Sequence, residues 1–90
     1  MSIDRAAAAS LAERGLAAVV GVDIVATVRE DSPLDGIGLS EADLVCISDA
    51  VASAAAEGGA ECVLSDSDVD GLVTVADLVT AIAARGQVQA

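Results

Sequence analysis

The boundary at Ser40, between a turn-rich segment and a capped apolar helix, constrains the fold of this chain most strongly. The preceding residues include Asp31-Ser32-Pro33 and two glycines, all of which favour turns. The Ser40 hydroxyl can accept a hydrogen bond from the amide three residues later, and Glu41 and Asp43 place negative charge at the positive end of a helix dipole. We therefore predict a helix from Ser40 to Gly58-Gly59, with an apolar stripe of Leu44, Val45, Ile47, Val51, Ala54 and Ala55.

A first helix is predicted from Ser2 to about Val20, where apolar residues recur at three- and four-residue spacing. Ser10 and Glu13 form an internal capping-box pattern, so the helix could instead begin at Ser10. Gly21 ends the pattern in either case, and a long connection follows.

The C-terminal third predicts a short helix and a long one. The segment 66–71 fits a single helical turn, and the last helix begins at Thr74, which forms a cap with Asp77, and closes at Arg85-Gly86. Three main helices and one short helix predict an all-α chain, folded as a small antiparallel four-helix bundle with a long first connection. Ninety residues, 1–90, make a single domain.

Composition and charge narrow the classes of function. There is no aromatic residue, so the core must come from Val, Leu, Ile and Ala. No apolar run approaches the roughly 20 residues that span a bilayer, and we expect a cytoplasmic protein. The net charge of −11 repels nucleic acid and favours basic protein surfaces as partners, and we expect no membrane association. Cys46 and Cys62 are too few for a disulfide framework or a zinc site and are predicted to be buried.

The run Asp31 to Val45 resembles, without a gap, the segment of acyl carrier proteins that leads into the helix bearing their prosthetic group. In that family the run reads acidic-Ser-Pro-Leu, two residues, then Leu-Gly-x-Asp-Ser-Leu. The stretch 16–23 is similar to the end of the family's first helix, and 68–79 to its short third helix and the start of its fourth. The resemblance covers about Leu11 to Ala84 and implies the carrier fold.

The resemblance places Glu41 where carrier proteins have the serine that is modified with phosphopantetheine. The family's apolar positions at plus four, six and ten from that serine fall here on Val45, Ile47 and Val51 when counted from Glu41. A shift of one residue would make Ser40 the modified position. A carboxylate cannot replace a serine hydroxyl in the phosphodiester, so the two alignments imply different functions.

The acidic stretch that begins at Asp66 also matches a calcium-binding loop. Asp66, Asp68, Asp70, Gly71 and Asp77 occupy loop positions 1, 3, 5, 6 and 12, as in dockerins. The carrier resemblance explains the same residues as a short helix, and we expect no metal here.

The resulting expectation is a protein that is not itself an enzyme. It would be a non-pantetheinylated docking or scaffolding subunit of a bacterial fatty-acid or polyketide-type biosynthetic system, without a cofactor. The resemblance implies docking onto basic surfaces of synthase or tailoring enzymes through the second main helix. The first alternative is a working carrier with 4'-phosphopantetheine on Ser40, and a remote one is a dockerin-like calcium module. The docking carboxylates would be Glu41, Asp43, Asp49 and Glu57.

Overall fold

The computed structural model describes residues 2–88 and is mostly helical. Two short strands and one 3-10 turn, Asp35–Ile37, accompany the helices. The helices are α1 (Arg5–Val20), α2 (Val22–Val25), α3 (Glu41–Glu57), α4 (Asp66–Asp70) and α5 (Val75–Arg85), and the strands are β1 (Ala60–Glu61) and β2 (Gln87–Val88). The predicted predominance of helix is confirmed, whereas α2 and the two strands were not predicted.

Side-chain caps determine where the longer helices begin. The Asp4 carboxylate accepts the Ala7 amide at 2.7 Å, so α1 starts at Arg5 and the alternative start at Ser10 is wrong. Reciprocal capping boxes precede α3 and α5, at Ser40 and Thr74, as predicted.

The core lies where α1 packs against α3 and α5. Gly15 of α1 is buried and brings the backbone of α1 close to Val51 of α3. The largest fully buried side chains come from all three helices and the loop after β1: Leu16, Ile47, Val51, Leu78, Val79, Ile82 and Cys62.

The apolar stripe predicted for α3 is only partly buried. Ile47, Val51, Ala54 and Ala55 are buried, whereas Val45 is 49% exposed. The prediction that both cysteines are buried is wrong for Cys46, which is exposed, and correct for Cys62. No helix within residues 2–88 is long and apolar enough to cross a membrane.

Strand β2, near the C-terminus, pairs with β1 in the loop after α3. They pair antiparallel, with Ala60 opposite Val88 and Glu61 opposite Gln87. Ser2 forms an isolated bridge to Gln87 on the same strand. Gly86 permits this arrangement, because a Cβ at this position would overlap the Ile3 side chain.

The connection between α2 and α3 is fixed to the start of α5. The Leu34 amide donates to the Val73 carbonyl at 2.8 Å, and the Val75 amide donates to the Ser32 carbonyl at 3.1 Å. Leu34 itself is buried. These contacts position the residues just before α3, and therefore the N-terminus of α3.

Candidate functional site

The N-terminus of α3 is the position where the sequence predicts the functional residues. Ser40 is the N-cap in an extended conformation, and its hydroxyl accepts the Asp43 amide at 3.2 Å. The Asp43 carboxylate accepts the Ser40 amide at 2.9 Å. Both residues therefore have a local role in starting the helix.

Glu41 is the first residue of α3 and is exposed. It lines a groove of about 430 Å³ between the start of α3 and α4. The lining consists of three carboxylate residues and three apolar ones: Glu41, Asp66, Asp70, Ala42, Val45 and Val69. Among the described residues, no cationic side chain lines this groove. The Glu41 carboxylate therefore lies at the exposed N-terminus of α3, where a partner can reach it.

Helix α4, the other wall of the groove, is held by a cap and an ion pair. The Ser65 hydroxyl accepts the Asp68 amide, and the Asp68 carboxylate accepts the Ser65 amide at 3.0 Å. The Arg85 guanidinium donates to the two Asp68 carboxylate oxygens at 3.0 and 3.2 Å. The Ser65 amide and then Arg85 lower the pKa of Asp68 below its ordinary value. The spacing Ser65-x-x-Asp68 is the same capping signal as at Thr74, and it marks the start of α4 in the sequence.

The four predicted docking carboxylates differ in their availability. Asp49 is exposed in the middle of α3, and neither it nor Glu41 forms an ion pair within residues 2–88. Glu57 accepts from Arg14 at 2.7 Å across to α1, and Asp43 is engaged in the cap. Glu41 and Asp49 lie eight residues apart, or about 12 Å along the helix axis. These two are the carboxylates most available to a basic partner.

Two of the four calcium candidates, Asp68 and Asp77, are bonded within the chain. Asp66–Asp70 is helical, as predicted for a short turn, and Asp68 is bound by Arg85. The Asp77 carboxylate accepts the amides of Val73 and Thr74, both at 3.1 Å. Among the described residues, no group of three or more His, Cys, Asp or Glu side chains is arranged to hold a metal ion.

No protein-family model, curated protein or solved structure matches this chain. The likeness to acyl carrier proteins therefore depends on the residues of this chain alone.

Proposed function

We propose that this protein is a carrier-like docking subunit that has lost the attachment residue of acyl carrier proteins. It would be a degenerate member of that family, with its three longer helices and the short helix α4 arranged as an antiparallel four-helix bundle. The observation that supports this most is the position of Glu41. It is the exposed first residue of the capped helix α3, and the ungapped alignment makes α3 equivalent to the helix that carries the prosthetic group.

The chemistry of the side chain supports the loss of cargo. Phosphopantetheine is joined to carrier proteins through a serine oxygen as a phosphodiester. Glu41 has no hydroxyl, and a carboxylate cannot make that linkage. A negative side chain in the first turn is nevertheless favourable for the helix dipole, so the helix keeps its stability without the group.

Electrostatics support a basic partner for the exposed side of α3. The chain carries 15 acidic residues against four arginines, a net charge of −11. Three of those arginines pair with Glu30, Glu57 and Asp68. Of the four predicted docking carboxylates, Glu41 and Asp49 are therefore the two in neither an ion pair nor a helix cap within residues 2–88. Exposed charges of this kind are screened over about 8 Å at physiological ionic strength, so binding through them should weaken as salt rises.

The alternative function, a working carrier modified at Ser40, has one observation in its favour. Ser40 is exposed and stands at the N-terminus of α3, where an anionic group is electrostatically favoured. Against it, the ungapped alignment makes Glu41 rather than Ser40 equivalent to the carrier serine, and the Ser40 hydroxyl already has a role as N-cap, in which it accepts the Asp43 amide.

A competition experiment tests the docking function. A carrier-dependent ketosynthase is immobilised, and the protein is titrated against an authentic acyl carrier protein at low and high salt. We expect competition that weakens with salt and is reduced by Asp49→Lys. The matched control is Glu13→Lys, which changes charge by the same amount at an exposed position on α1. Equal losses from both variants, or no competition at all, would contradict docking through α3.

Intact mass distinguishes the alternative. After incubation with coenzyme A and a broad-specificity phosphopantetheinyl transferase, the docking function predicts no change in mass. A gain of one phosphopantetheine on a peptide that contains Ser40 would establish the working carrier instead.

A further inference from the structure

Helix α2 is a short, mostly apolar element that packs against α1, but two of its apolar side chains are exposed within residues 2–88. None of its four residues is buried, and Val22 and Ile24 are 73% and 45% exposed. Val22 is the most exposed large apolar residue among the described ones. Exposed apolar side chains in a group are more informative than single ones, because they mark surfaces that meet another molecule.

A groove of about 350 Å³ opens beside α2, between it and the 3-10 turn. Its apolar lining consists of Ile24, Val28, Pro33 and Ile37. Gly36 is part of the wall, and a Cβ there would lie 2.8 Å from the Pro33 ring, so glycine allows the turn to close against the proline.

The two hydroxyl groups of the groove are already bonded within the chain. The Thr27 hydroxyl donates to the Ile24 carbonyl at 2.8 Å, and the Ser32 hydroxyl accepts the Arg29 amide at 3.0 Å. The groove therefore offers a ligand its four apolar side chains beside two hydroxyl groups that already have partners within the chain.

Three exposed carboxylates, here called the acidic rim, belong to residues that are immediate chain neighbours of residues lining the groove. Asp23, Asp31 and Asp35 are exposed, and each directly precedes a residue of α2 or of the groove wall. None of the three takes part in an ion pair within residues 2–88. Arg29 is the one cation in the segment 22–39, against four carboxylates, of which Glu30 pairs with Arg5.

We infer that this groove, with its acidic rim, docks a basic protein segment that inserts an aliphatic side chain between flanking Lys or Arg residues. Nucleic acid and anionic membranes are disfavoured by the same charge, and a second copy of this chain would also carry −11. The inference is independent of the docking function of α3, because no residue of α3 lines the groove.

The test uses the full chain labelled with nitrogen-15 and a synthetic amphipathic helical peptide made of leucine and lysine. We expect saturable shifts of the amide signals of residues 22–37 and an affinity that falls as salt rises. Ile24→Ser should weaken binding by about tenfold, since it removes an apolar side chain from the contact. Val63→Ser is the matched control, because Val63 is 65% exposed and lies outside the groove.

A second variant tests the rim separately. Replacing Asp23 and Asp35 by Asn should lower the affinity and flatten its salt dependence, while circular dichroism shows that the variants remain folded. A peptide of leucine and glutamate should not bind.

Four results would overturn the inference. The first is no saturable binding, and the second is equal binding of the acidic peptide. The third is binding that shifts α3 signals and is insensitive to Ile24→Ser, which would reflect net charge only. The fourth is occupation by another molecule: either concentration-dependent dimerisation that Ile24→Ser abolishes, or association of the chain with neutral phosphatidylcholine vesicles that the same variant abolishes.

Discussion

Replacing Gly15 by alanine should destabilise the protein, although alanine is the better helix former. Gly15 lies inside α1 and faces α3. A Cβ there would lie 2.6 Å from Val51 Cγ2 and 3.2 Å from the Ile47 carbonyl oxygen. Optimal contact between two carbon atoms is about 3.5–4.0 Å, so the first contact is too short by roughly 1 Å.

The size of the effect follows from two opposing terms. Overpacking of a core costs about 1–3 kcal/mol, and Val51 is fully buried, with little room to move. Alanine in place of glycine within a helix contributes about 1 kcal/mol in the other direction. The net change should be a loss of about 1 kcal/mol in the free energy of unfolding, or roughly 4–8 °C in melting temperature for a domain of this size.

Urea denaturation followed by circular dichroism measures this change. Gly58→Ala is the matched control, because a Cβ there would meet nothing closer than the Ala55 carbonyl oxygen at 3.7 Å, and its φ of −89° suits any residue. We expect the control to leave the free energy of unfolding unchanged or to raise it slightly. In a Val51→Ala background, Gly15→Ala should be less destabilising, since the 2.6 Å contact with Val51 is removed while the 3.2 Å approach to the Ile47 carbonyl oxygen remains. A stabilising Gly15→Ala in the natural chain would refute the close packing of α1 on α3.

Three further predictions concern the acidic turn and the thiols. The pKa of Asp68 is lowered in the folded protein, so the contribution of this carboxylate to stability is present above its ordinary pKa of about 3.9 and is lost as pH falls through the folded value. Asp68→Asn should therefore reduce the fall in urea midpoint between about pH 5 and pH 3. One thiol per native chain, that of Cys46, should react with a disulfide reagent. Cys62 is buried, and both its burial and the Asp68 charge raise the pKa of the Cys62 thiol. Rapid reaction of two thiols would contradict this prediction. Thermal melts with chelator and with millimolar Ca²⁺ should superimpose, and a large rise with Ca²⁺ would support a calcium module instead.

The features that sequence predicted well are encoded by nearby residues. The caps at Ser40 and Thr74 each depend on a side chain and an amide three positions away, and both are present. The glycines after α3 end that helix as expected, with Gly58 as its C-cap. Asp4 is also a local cap, but the Ser10–Glu13 capping-box pattern indicated a second possible start for α1.

The features that sequence missed depend on distant parts of the chain. The strands β1 and β2 have two residues each, too few to show any periodicity, and their paired residues lie 28 and 26 positions apart in the chain. The exposed side chain of Val45 could not be distinguished from a buried one, because its helical position places it at the edge of the apolar stripe. The packing of α4 and α1 decides which of several similar valines is buried, and the spacing of apolar residues along one helix does not show it.

The equivalence of Glu41 to the carrier serine can be tested directly by restoring the family motif. The triple variant Ser40→Asp, Glu41→Ser, Ala42→Leu rebuilds Asp-Ser-Leu at the start of α3. Aspartate is as good an N-cap as serine, and Ala42 is exposed, so the added leucine side chain should not overpack the core. Circular dichroism and urea denaturation establish whether the variant is folded.

Intact and peptide mass spectrometry after treatment with coenzyme A and a promiscuous phosphopantetheinyl transferase is then the deciding measurement. We predict that the triple variant gains one phosphopantetheine at residue 41 while the natural protein gains none. A folded triple variant that stays unmodified would contradict the carrier alignment, and modification of the natural protein at Ser40 would contradict the loss of the attachment site.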